Sequence, residues 1–392
     1  MLKRPRREFF QVLSLSGGGY KGVYSLSALK SLEDAKHSLL DGSKGEGLRL
    51  PIQECCDAFL GTSVGAIIAT GLAIGKSPAD LLEIFLKEGS EIFPGEAGIG
   101  IGKARYSTKA IEKIIREIMG DRTFQDVEKP CFVSTVDAET GMPLLVGGWK
   151  GADIHFANTP IWEAVLASVS APTYFPFRRF EFPLGDNENP DSNGWLVDGG
   201  LSANAPELIA LSDLSKNFAV PLDNFFVLSI GTTSTLTKLD GPRIGRSKTK
   251  VWTDLLKPSL HWKSLKHFCL EAYIKALNHP TQGRRWGAIA WFVNGRTSLI
   301  ELILKSQENA AVRVCGSIVP SEQYIRLDTH LPYEDRIELD DPRKHSALVK
   351  LGEKVVENEL SPSSNVSHRI ALFTGRRFNS HSAVVETLSL GN

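Results

Sequence analysis

Between Phe9 and Thr232 the chain alternates short apolar runs with amphipathic stretches, and that alternation restricts the fold more than any other feature. FFQVLSLS (9–16), CDAFLG (56–61), CFVSTVDA (131–138), WLVDGG (195–200) and NFFVLSIGT (224–232) read as buried strands. Between them, residues 21–34, VGAIIATGLAIG (64–75), PADLLEIFLKEG (78–89), STKAIEKIIREIMG (107–120) and PIWEAVLASV (160–169) read as helices. Strands joined through helices run parallel, and a parallel sheet needs helices on both faces. The expectation is a three-layer α/β/α domain, continued by a further strand, YIRLD (324–328), and a helix near 342–360. The expected divisions are a catalytic core at 8–235, a mostly helical extension at 236–320, a closing strand and helix at 321–360, and a tail at 361–392.

Composition narrows the class without naming a chemistry. Forty-five basic residues balance forty-five acidic ones, so net charge selects no partner. The five cysteines, Cys55, Cys56, Cys131, Cys269 and Cys315, are too scattered for a disulfide framework or a zinc site, which points to a reducing cytosol. The start, MLKRPRREFFQ, is basic but lacks the apolar stretch of a secretion signal. No run approaches the length of a membrane span, and no acidic ligand loop suggests calcium, so neither metal nor cofactor is expected.

Three glycine-bearing motifs carry the chemistry. LSLSGGGYKGVYS (13–25) takes a strand through Gly17, Gly18 and Gly19 towards a helix, with Lys21 and Gly22 next. Such a backbone can approach an anion closely, whether a nucleotide phosphate or the oxyanion of a hydrolytic intermediate. The dinucleotide reading wants an acid beyond a second strand, but Glu33 and Asp34 fall inside the helix. LGTSVGAII (60–68) places Gly61-x-Ser63-x-Gly65 between a strand and an apolar helix, the setting of a nucleophile elbow. GWLVDGGLSANAP (194–206) presents Asp198, then Gly199 and Gly200, at a strand end. Alone it reads as a turn or cap. Ser63 needs a base, and either Asp198 or His330, just past YIRLD, is placed to act as one.

Taken together, the GGGYKG loop, GTSVG elbow and DGG acid, in that order and with ASVSAPTYFP (167–176) and CCDAFLGTSVG (55–65), resemble the patatin-like phospholipases. The resemblance spans roughly residues 9–233 and implies a Ser-Asp dyad without histidine. Ser63 would attack an acyl ester and Asp198 would take its proton. Gly17, Gly18 and Gly19, with Lys21 beside them, would form the oxyanion hole. The resemblance extends to bacterial patatin effectors of antiphage signalling. These imply a cytoplasmic enzyme at the inner membrane face, membrane phospholipid as substrate and a cyclic dinucleotide as activator. No nucleic-acid polymer is implied. No residue matches a known regulator motif, and the oligomeric state stays open. The alternatives are a small-ester hydrolase with His330 as base, and a nucleotide- or membrane-binding module with a vestigial site.

The remaining feature is residues 241–300, where eleven Lys and Arg face only Asp254 and Glu271, and four of the seven tryptophans fall. A face for anionic lipid, a pocket for a phosphorylated regulator, and basic surface around core tryptophans all fit that composition. Two other glycine-rich stretches lead nowhere catalytic. GLAIGKSP (71–78) is one residue short of a P-loop, and PGEAGIGIGK (94–103) reads as a plain surface loop or as a mobile loop over the acyl pocket.

Overall fold

The computed structural model describes residues 9–39, 51–94, 104–176, 178–180, 194–235, 299–361 and 363–374. The chain divides into two compact units. One comprises 1–234, 307–330 and 337–392; the other comprises 235–306 and 331–336. In the smaller unit, Arg336 donates to both carboxylate oxygens of Glu301, at 2.8 and 2.6 Å. The basic, tryptophan-rich segment up to residue 298, the basic start and the stretch 95–103 lie outside the described residues.

The larger unit is built on eight strands: β1 (Phe10–Leu15), β2 (Ala58–Thr62), β3 (Cys131–Asp137), β4 (Pro143–Gly148), β5 (Arg178–Arg179), β6 (Trp195–Asp198), β7 (Phe225–Ile230) and β8 (Tyr324–Leu327). Their order is β5-β6-β3-β2-β1-β7-β8, with β4 on the other edge of β3. The five strands from β3 to β8 are parallel, as the alternation requires, and β4, β5 and β6 add an antiparallel margin. The helices are α1 (Gly22–Leu39), α2 (Val64–Ala73), α3 (Pro78–Ile92), α4 (Thr108–Met119), α5 (Ile161–Ser168), α6 (Gly200–Ala203), α7 (Glu207–Phe218), α8 (Leu299–Ile318), α9 (His345–Leu360) and α10 (Ser367–Thr374).

Both sheet faces are apolar, so helices cover both. Phe10, Val12, Leu60, Phe132 and Val227 pack with Leu211, Leu214 and Phe218 of α7 and with Cys315 of α8. The opposite face buries Leu13, Leu15, Phe59 and Val133, with α2 and α5 against β1–β3. Helix α2 is buried from Val64 to Leu72, which explains why its sequence is apolar on all sides. Local chemistry fixes the starts of the outer helices. Ser77 and Asp80 close a capping box with Pro78 at the first position of α3, and the Ser107 hydroxyl caps α4. In the middle of the unit Glu207, wholly buried, accepts from Ser14 Oγ (2.6 Å), Ser229 Oγ (2.9 Å) and the Tyr324 hydroxyl (3.0 Å). One carboxylate thereby joins α7 to β1, β7 and β8.

The three-layer architecture agrees with the sequence reading, and two details go beyond it. Strand β4 carries Pro143, Gly147 and Gly148, residues poor in strand propensity, and it pairs only as an edge. A side chain at Gly147 would begin 2.1 Å from the Cys131 carbonyl, so the close approach to β3 explains the glycine. Within the expected tail, α10 folds back so that the Phe373 ring meets Phe226 of β7 at 5.4 Å.

Helix α9 lies on α1 at a glycine contact. A Cβ at Gly352 would stand 2.4 Å from the Tyr24 carbonyl and 2.8 Å from Ser27 Cβ. Gly352→Ala is therefore expected to destabilise the protein by about 1–3 kcal/mol. A lower urea midpoint with unchanged m-value would report it.

Candidate active site

Ser63 makes the whole turn between β2 and α2, with φ 55° and ψ −124°. For a residue with a side chain that left-handed backbone stores about 1–3 kcal/mol of strain. The neighbours are glycine because nothing else fits. A Cβ at Gly61 would sit 2.3 Å from the Gly65 carbonyl, and one at Gly65 would sit 2.2 Å from the Leu15 carbonyl. The Ser63 N–H donates to Ser168 Oγ at 2.8 Å, and that hydroxyl donates to the Ser134 carbonyl at 2.7 Å. The bend is thus held from the end of α5 as well as by its own glycines.

Asp198 arrives through strand register. Along one edge of β3, Ser134 pairs with Thr62 of β2, and the next residue, Thr135, pairs with Asp198 of β6. Strand β4 occupies the opposite edge, so β2 and β6 share the same one and their ends meet there. Asp198 Oδ1 accepts from the Gly200 N–H at 2.7 Å, and the Ser63 hydroxyl lies close enough to the carboxylate to lower its pKa. Both residues are almost out of solvent, Ser63 at 9 % exposure and Asp198 at 4 %. Burial pushes the Asp198 carboxyl up to about 6, against the opposing pull of the Gly200 N–H and the Ser63 hydroxyl. A Cβ at Gly199 would meet the Ser134 carbonyl at 2.2 Å, so the turn after the acid lies hard against β3.

The glycine loop flanks the elbow. A Cβ at Gly17 would be 3.2 Å from Ser63 Cβ, and one at Gly22 would be 2.3 Å from Val64 Cγ2. Gly18 and Gly19 lie between these contacts. Gly17 itself was expected to lend its N–H to an oxyanion, but that group donates to the Asn204 carbonyl at 2.9 Å. Among the described residues no acceptor takes the N–H of Gly18 or Gly19, so both are free to donate from the loop that flanks Ser63. Lys21 was expected to add charge there; its Nζ donates to the Thr233 carbonyl at 3.0 Å.

The other candidate base is elsewhere engaged. His330 is exposed, and its Nδ1 lies 2.8 Å from Ser234 Oγ, whereas Asp198 is the carboxyl whose pKa the Ser63 hydroxyl lowers. The Gly75-Lys76-Ser77 run of the P-loop decoy closes α2 and caps α3, leaving no phosphate cradle. Ser168 and Asn204 went unnoticed as site residues in the sequence. Both lie inside quoted motifs, in ASVSAP and LSANAP, but nothing local says which backbone group they hold.

Comparison with known proteins identifies the family. Residues 13–211 match the family model described as patatin-like phospholipase. A cGAMP-activated phospholipase of Escherichia coli strain TW11681 is 30% identical over 236 residues, covering 57% of this chain and 62% of that protein. A cGAMP-activated phospholipase of Vibrio cholerae is 28% identical over 57% of this chain and 64% of its own length. Patatin-like protein 1 of Oryza sativa is 23% identical over 93% of this chain and 84% of its own. The chain spans less than two thirds of the length of the two bacterial relatives. No helix among the described residues is long and apolar enough to cross a membrane. With its Gly-Gly-Gly loop, its serine elbow and its buried aspartate in one place, the chain belongs to the patatin-like phospholipase family.

Proposed function

We propose that the protein is a serine acyl hydrolase that cleaves fatty acyl esters of membrane phospholipids at the inner face of the membrane. The observation that carries this reading is the strand register that brings Ser63, at the head of a strained elbow, beside the buried Asp198 carboxylate. Ser63 Oγ attacks the ester carbonyl carbon while its proton passes to Asp198. The new oxyanion accepts from the Gly18 and Gly19 N–H groups, whose fixed dipoles need no reorganisation. Collapse breaks the ester C–O bond, and Asp198 returns the proton to the leaving alcohol. Water then attacks the acyl-Ser63 ester, again losing its proton to Asp198, and the fatty acid leaves as Ser63 recovers its hydrogen. The steps need no metal or cofactor.

A cyclic dinucleotide is proposed as the activator. Two of the bacterial relatives are named for activation by cGAMP, and the basic, tryptophan-rich stretch 241–300 has the composition to pair phosphates and stack bases. Fatty-acid release from vesicles of phosphatidylethanolamine and phosphatidylglycerol, measured with and without a panel of cyclic dinucleotides, tests both halves. Release is expected only with a matching nucleotide, and Ser63→Ala should lower it by at least ~10⁴-fold. Constitutive release lost in Ser63→Ala would remove the activator and keep the hydrolase. Release that survives Ser63→Ala would remove both.

The raised carboxyl of Asp198 fixes a pH dependence. Asp198 must be ionised to act as base, so turnover should rise with pH and reach half its plateau near pH 6. Stability runs the other way. A carboxyl whose folded pKa lies above its unfolded value makes the folded state bind the proton more tightly. Its favourable contribution is complete at low pH and is lost as pH climbs from about 4 to about 6. Asp198→Asn should therefore be more stable than the parent at pH 7 and inactive. In chemical denaturation its stability advantage should shrink towards pH 4 and vanish below it.

A further inference from the structure

A strap from the far end of the sequence braces the glycine loop. The Tyr20 N–H donates to the Leu339 carbonyl at 2.8 Å. Gly19, at φ +58°, lies so close to the same carbonyl that a Cβ would come within 2.4 Å of it. The next residue, Asp340, is gripped through one oxygen. Its Oδ2 accepts from the Tyr106 hydroxyl at 2.8 Å and pairs with Arg105 Nη1 at 2.9 Å. Arg105 and Tyr106 are themselves fixed, their N–H groups donating to the carbonyls of Thr173 (2.9 Å) and Tyr174 (2.8 Å). That segment continues from Ser170, whose carbonyl accepts from the Asp198 N–H at 3.2 Å.

Side chains close the circuit. The buried Tyr20 ring meets Phe93 at 6.4 Å between centroids, and Phe93 meets Tyr106 at 5.3 Å. The path from Tyr20 through Phe93, Tyr106 and Asp340 to the Leu339 carbonyl returns to the Tyr20 N–H. Gly19 is held inside that ring of contacts, with its own N–H and that of Gly18 unengaged among the described residues. Residues 339 and 340 lie well beyond the 13–211 stretch that matches the family model.

We propose that Asp340 is a positioning residue of the active site. Anchored by Arg105 and Tyr106, it holds the Leu339 carbonyl against Gly19 and Tyr20, and so fixes the direction of the Gly18 and Gly19 N–H donors. The proposal rests on the serine-hydrolase reading given above. A brace of this kind acts on the oxyanion more than on the bound ester, so its loss is felt in kcat. Burial and the neighbouring Asp340 carboxylate hold the Tyr106 hydroxyl protonated, as a donor must be.

The test uses the full chain, with its activator if one is required, and a soluble p-nitrophenyl ester. Rates are normalised to active sites counted by a fluorophosphonate end point, so misfolded protein drops out. Asp340→Ala is expected to lower kcat per active site by about 10–100-fold, with KM within about twofold of the parent. Affinity for a trifluoromethyl ketone, whose adduct carries the oxyanion, should fall in step with kcat. Tyr106→Phe should lose less, and Asp340→Asn should fall between the two. The pH midpoint should stay where it is, because Asp198 is untouched. Unchanged kcat per site in Asp340→Ala, beside an inactive Ser63→Ala, would overturn the strap and spare the hydrolase. Equal turnover in Ser63→Ala and the parent would overturn the hydrolase and the strap with it.

Discussion

The active site depends on one shared strand edge. Strand β3 has room for a single neighbour at each position of an edge, and β2 and β6 divide that edge end to end. Where β2 stops, the chain bends at Ser63; where β6 stops, Asp198 stands one residue further along the same row. A shift of one residue in the β3–β6 pairing would turn the acid to the other face of the sheet. Much of the surrounding structure guards that register. Strand β4 holds the opposite edge of β3, Gly199 presses on the Ser134 carbonyl, and Ser168 links that same carbonyl to the Ser63 N–H.

The same arrangement sets the electrostatics. A carboxylate taken almost out of water is unstable, and only the Gly200 N–H and the Ser63 hydroxyl offset the loss of hydration. That imbalance lifts its proton affinity towards neutrality, which is where a general base works best. Strain at Ser63 and burial at Asp198 both cost stability, and a large core tolerates them. The buried Glu207, shared by α7 and three strands, belongs to the framework that absorbs the cost.

What the sequence discloses and what it hides follow from the range of the interactions. The elbow is legible because its pattern is local: Gly61 is denied a side chain by the Gly65 backbone four residues on, although Gly65 is denied one by Leu15 on β1. The parallel sheet is legible because apolar runs and helices alternate. Asp198 is visible as an acid before two glycines, yet its approach to Ser63 depends on pairing across three strands. Gly17, Gly18 and Gly19 look alike on paper, and the Asn204 carbonyl sets the first apart by accepting its N–H. Strand β4 has weak propensity and is made by its partner. Leu339 and Asp340 carry no motif at all, because their role is written in tertiary contacts with Gly19, Arg105 and Tyr106.

The central claim is that Asp198 activates Ser63, and covalent labelling addresses it without any assumption about lipid or activator chemistry. Intact-protein mass spectrometry would follow phosphonylation by a fluorophosphonate between pH 4.5 and 8, in the parent protein and in Asp198→Asn, with peptide mapping of the adduct. The account predicts a single adduct on Ser63, formed at a rate that climbs through about pH 6, and labelling slower by orders of magnitude in the variant. Equal labelling rates in the two proteins, or an adduct on another residue, would contradict it.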